Sequence, residues 1–97
     1  MNLSLKKKLH LKINKIVPCV IGLGYVGLPI FMNLSKKFVT LGFDINKNRV
    51  DELKKSFDRN LEFKLKDLKK INKKFFLSNK NELKKANFFI VTVPTPV

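Results

Sequence analysis

Gly22-Leu23-Gly24-Tyr25-Val26-Gly27 is the stretch whose reading decides the fold. Three glycines at this spacing say little alone; their flanks give them meaning. Before them runs Ile16-Val17-Pro18-Cys19-Val20-Ile21, a short apolar segment with no polar alternation. Such a segment reads as a strand buried on both faces of a parallel sheet. Pro18 donates no ladder hydrogen bond, so it is tolerable only among the first paired residues of that strand. After the glycines, Gly27, Ile30, Phe31, Leu34 and Phe38 recur at helical spacing and give one apolar face. Pro29 sits near the helix start, where a missing N–H costs little.

A strand, a glycine turn and a helix in this order predict a phosphate-binding turn. Gly22 permits the tight turn off the strand, and Gly24 lets backbone approach a pyrophosphate without a Cβ in the way. Gly27 lets the helix sit close against the sheet, and Tyr25 lies in the turn, where its ring either covers the pyrophosphate or packs. Val39-Thr40-Leu41-Gly42-Phe43 reads as a second strand, ending at Asp44, 17 residues past Gly27. A carboxylate there accepts both hydroxyls of an adenosine ribose and repels a 2′-phosphate, which predicts NAD rather than NADP as the cofactor. The bland reading makes Asp44 a turn acid or helix cap. Arg49, early in the next helix, either reaches the adenosine side of the cofactor or remains a solvated cation. If it swung toward a 2′-phosphate, NADP would be admitted.

Downstream, Asn46 can cap a helix that carries Val50, Leu53 and Phe57 on one side. Residues 58–74 are rich in lysine, with Leu61, Leu65 and Leu68 spaced for another short helix. Phe75-Phe76-Leu77 reads as a brief strand and residues 79–85 as a short helix. Phe88-Phe89-Ile90-Val91-Thr92-Val93 is the last strand, uniformly apolar, and Pro94-Thr95-Pro96 stops it. The alternation predicts an α/β fold: a Rossmann-type, doubly wound parallel sheet of about four strands with helices on both faces. Residues 1–14 read as a basic, flexible leader and residues 15–97 as the nucleotide-binding domain.

Composition narrows the classes. At 97 residues and 44% hydrophobic, the chain suits one small globular domain. No apolar run approaches the roughly 18 to 20 residues of a membrane helix, and the leader lacks the uninterrupted apolar stretch of a signal peptide. The formal charge of +14 raises the question of nucleic acid. Yet only Arg49 and Arg59 are arginines, the lysines are dispersed, and readers of bases and phosphates lean on arginine forks. Solvated lysines on a composition-biased chain are therefore expected, with neither nucleic acid nor membrane as partner. Cys19, the one cysteine, excludes an internal disulfide and a cysteine zinc site and fits a reducing cytoplasm. It lies within a strand with no histidine beside it and reads as an inert thiol. His10 has no triad or metal partner, so no catalytic or metal-binding residue is expected.

Three stretches together resemble the N-terminal domain of the UDP-glucose/GDP-mannose dehydrogenase family. They are the segment from Val20 through Gly27 to Leu28-Pro29, then Gly42-Phe43-Asp44-Ile45-Asn46 with Arg49-Val50, then Phe89-Ile90-Val91-Thr92-Val93-Pro94-Thr95-Pro96. The wording is nearest to the bacterial branch acting on UDP-N-acetylhexosamines for surface polysaccharide. The resemblance implies oxidation at carbon six of a UDP-sugar substrate. Two hydrides pass to two NAD molecules, with the aldehyde held covalently on a cysteine between the steps. It also implies that the residues from Gly22 to Gly27, Asp44, Arg49 and Thr95 line the NAD site. The family's cysteine nucleophile, its supporting lysine and asparagine and its sugar-binding domain have no counterpart in these 97 residues. The expectation is a cofactor-binding portion, inactive alone. Its last strand would present an apolar edge, leaving the chain marginally stable or prone to self-association.

Overall fold

The computed structural model of the chain describes residues 4–5, 15–60 and 63–92. The leader therefore lies outside the described residues except for Ser4 and Leu5, which are exposed and helical. Four strands form one sheet: β1 (Pro18–Ile21), β2 (Leu41–Phe43), β3 (Phe76–Leu77) and β4 (Phe88–Val91). All pairings are parallel and the order is β3-β2-β1-β4. Between them lie the helices α1 (Gly27–Leu34), α2 (Lys47–Lys54) and α3 (Leu65–Leu68), with 3-10 turns at Lys73–Phe75 and Lys80–Lys85. This is the predicted Rossmann-type order of elements.

The sheet's alternation sorts the core. Val20, Phe76 and the inward residues Leu23, Leu28, Phe31, Val50, Leu53 and Leu68 form one cluster, roofed by the three helices. The Phe31 and Phe76 rings sit 5.0 Å apart, tilted by 41°, within the range favoured for aromatic pairs. On the other face Cys19, Leu41, Phe43 and Leu77 form a smaller cluster, covered by Leu83 of the 3-10 segment and by Ala86 just after it. Pro18 is the first residue of the central strand, opposite Phe88. Its missing N–H thus falls where the ladder begins.

Several boundaries differ from the sequence expectation. β2 starts at Leu41, leaving Val39 60% exposed in the approach to it. α1 stops at Leu34, and Phe38 closes a turn by donating its N–H to the Leu34 carbonyl. Phe57 leaves the face of Val50 and Leu53, because the chain reverses at Ser56 with φ of 60° and carries the ring into solvent. α3 is a single turn that buries Leu68 and leaves Leu65 exposed, while Leu61 lies outside the described residues.

β4 presents the apolar edge expected of the last strand: Phe88, Phe89 and Val91 are 54%, 47% and 65% exposed. The reason is position. Among the described residues only β1 pairs with it, and no helix roofs either of its faces.

Candidate functional site

Strand order reverses at β1, with β2 on one side and β4 on the other, which leaves a crevice beyond the carboxyl ends of β1 and β4. The glycine turn occupies it. Gly22 has φ of +97°, a conformation that L side chains rarely adopt, and a Cβ there would lie 2.5 Å from Thr92 Oγ1. A Cβ on Gly27 would lie 1.6 Å from the Gly22 carbonyl oxygen, so helix and turn touch backbone to backbone. At Gly24 a Cβ would meet nothing within 4 Å. The first and third glycines face protein and the middle one faces open space.

Leu23 separates these two sides. Its side chain is fully buried, packed between Gly42 and the α1 core. Its N–H donates to Asp44 Oδ2 at 2.9 Å, and its carbonyl accepts from Arg49 Nε at 2.7 Å. Leu23 therefore anchors the turn. Gly24, Tyr25 and Val26 are exposed, and among the described residues no acceptor takes their N–H groups. No side chain caps α1 at Val26 either. Free amides at the positive end of a helix dipole make a cradle for an anion.

Asp44 stands beside this cradle, half-buried. Oδ1 accepts the Asn46 N–H at 2.9 Å, which forms the turn into α2, while Oδ2 holds Leu23. The turn-acid reading of this residue is realised, and each carboxylate oxygen keeps a second lone pair. Asn46 caps α2 by accepting from the N–H groups of Asn48 and Arg49, which starts the helix with Arg49 facing the turn.

Arg49 is 6% exposed, so it is no solvated cation. Beyond the Leu23 carbonyl it donates Nη1 to Asp58 Oδ1 at 2.9 Å. Nη2 is buried with no partner among the described residues. Asp58 also accepts the N–H groups of Asn60 and Phe63. Burial alone would raise its pKa, but the hydrogen bond from Arg49, its charge and the two amides outweigh that and hold the carboxyl below its usual value.

Two residues here escaped the sequence reading. Thr92 sits just past β4 with its hydroxyl 3.0 Å from the Ile21 carbonyl oxygen and 2.9 Å from that of Gly22, sharing one proton between them. It seals the crevice floor, and its signal was a lone hydroxyl ending an apolar run. Asp58 was hidden in a lysine-rich stretch whose pattern gave no reason to single out one acid. Thr95 lies outside the described residues. Cys19 is fully buried, and burial pushes its thiol up to about 11, the state of an unreactive cysteine. Among the described residues no group of histidine, cysteine or acid side chains could hold a metal, and no helix is long and apolar enough to cross a membrane.

Comparison with known proteins agrees with this geometry. Residues 15–97 match the model of the UDP-glucose/GDP-mannose dehydrogenase family, NAD binding domain. The chain belongs to that family. The UDP-N-acetyl-D-glucosamine 6-dehydrogenase of Pseudomonas aeruginosa is 47% identical over 78 residues, covering 80% of this chain and 18% of that protein. Protein CapL of Staphylococcus aureus is also 47% identical over 78 residues, with the same coverage. The UDP-N-acetyl-D-mannosamine dehydrogenase of Methanococcus vannielii is 44% identical over 92 residues, covering 88% of this chain and 20% of that protein. The chain thus spans about a fifth of the length of the curated relatives it matches. No solved structure matches it at a significant level. The family's cofactor, NAD, is the one that Asp44 and the glycine turn predict.

Proposed function

We propose that the glycine turn, Asp44 and Arg49 of this NAD-binding domain hold the cofactor of a UDP-N-acetylhexosamine 6-dehydrogenase. The observation that carries this is the cradle at Gly24, where open space, free amides and an uncapped helix N-terminus coincide. The amides of Gly24, Tyr25 and Val26 bind the pyrophosphate. Asp44 accepts the adenosine ribose hydroxyls with the lone pairs left over from Leu23 and Asn46. Arg49 supports the turn by holding the Leu23 carbonyl, and Thr95, which lies outside the described residues, joins the site on the family resemblance. When bound, NAD supplies the hydride acceptor; these residues bind and orient it. The sugar is a UDP-N-acetylhexosamine, as the relatives' names support, and its oxidation at carbon six serves surface polysaccharide. In this reading the enzyme works in the cytoplasm, with lysines that solvate the surface rather than bind nucleic acid.

The test is a fluorescence titration with NADH and NADPH after circular dichroism has established folding. Saturable NADH binding that is weaker by about tenfold or more for NADPH, and lost in Asp44→Ala, is the expected result. Equal affinity for both nucleotides, or binding that survives Asp44→Ala, would overturn the assignment.

A further inference from the structure

Asp58 has no cofactor contact in the proposed function, yet it is one of the most deeply buried charged groups among the described residues, at 2% exposed. A buried ion pair is weak evidence for stability, because desolvation of two charges offsets their attraction. Its geometry indicates another use. Oδ1 accepts from Arg49 Nη1 at 2.9 Å and from the Asn60 N–H at 3.1 Å, while Oδ2 accepts from the Phe63 N–H at 3.2 Å. The same guanidinium, through Nε, holds the Leu23 carbonyl at 2.7 Å. A planar guanidinium has a fixed fork, so moving one of its partners moves the other. Leu23 in turn precedes Gly24, whose peptide faces the cradle.

We propose that Asp58 is a positioning residue for the glycine turn, acting through Arg49 to couple the segment after α2 to the orientation of the Leu23–Gly24 peptide. This deepens the cofactor-site reading and rests on it. The nearby Glu52 plays a different part. It lies 4.0 Å from Arg49 Nη1 and pairs at 2.7 Å with the exposed Arg59, so it neutralises charge without fixing the fork.

The experiment is two-dimensional amide NMR on the chain without nucleotide, comparing Asp58→Asn with Glu52→Gln, followed by NADH titration of each. Asp58→Asn should move the Leu23 and Gly24 amide resonances and weaken NADH binding by about tenfold, the size of one net hydrogen bond. Glu52→Gln should leave both unchanged. Leu23 and Gly24 resonances that stay in place while those of Asn60 and Phe63 move would overturn the coupling. If Asp58→Asn does not fold, hydrogen exchange of the wild-type chain decides. The Leu23 and Phe63 amides must then open with the same free energy and the same denaturant dependence, and unequal opening refutes the link. A wild-type chain that shows the coupling but ignores NADH would sink the cofactor reading and leave the coupling standing.

Discussion

The two flanks of β1 are built from similar residues and end in opposite environments. On one flank β2 and β3 contribute Leu41, Gly42, Phe43, Phe76 and Leu77, all buried. On the other, β4 contributes Phe88, Phe89, Ile90 and Val91, of which none is buried. Both flanks pair with or through β1 by the same parallel ladder. What differs is what lies above and below them. α1, α2 and α3 roof one face over β2 and β3, and the 3-10 segment covers the other. Hydrogen bonding therefore makes a strand, and only layering makes it core.

The sharpest way to break this comparison is to truncate a ring on each flank. Phe76→Ala removes the partner of Phe31 and should cost about 3–5 kcal/mol, enough to abolish cooperative melting in a small domain. Phe88→Ala should cost far less. Equal losses in denaturant titrations would mean that β4 is covered in solution.

A second contrast lies within the glycine turn. Gly27→Ala forces a Cβ into the Gly22 carbonyl and should destabilise by about 3 kcal/mol. Gly24→Ala meets open space, so its melting temperature should hold or rise slightly while NADH affinity falls. A Gly24→Ala chain that binds NADH as well as wild type would show that no phosphate approaches there.

The smallest effect on stability belongs to the exposed edge. Phe89→Lys should change the unfolding free energy by no more than about 0.5 kcal/mol while suppressing association through β4. Sedimentation velocity over a range of protein concentrations checks this. A wild-type chain that stays monomeric throughout would remove self-association from the account.

Much of this was legible in the residues. The order of strands and helices, the turn at Gly22 to Gly27, the acid at Asp44 and the cap at Asn46 all follow from local chemistry: periodicity, φ preference and side-chain acceptors. The identity of the cofactor came from the same few residues. Arg49 was placed near the site, but two fates remained open for it, because helical spacing says which way a side chain leaves the backbone and not what meets it.

Tertiary structure decided the rest. Arg49 became buried only because Leu23 and Asp58, 26 residues before it and 9 after, converge on one guanidinium. Thr92 became a seal only because β4 lies against β1, 70 residues from Gly22 in sequence. The exposure of Phe88, Phe89 and Val91 followed from which strands have neighbours, a property of the assembled sheet. The sequence by itself determined what is local: the strands, the helices, the left-handed glycine and the acid at the strand's end. Burial, charge pairing and the inward or outward sense of each turn residue are sums over contacts distant in the chain, and those exist only once the layers have packed.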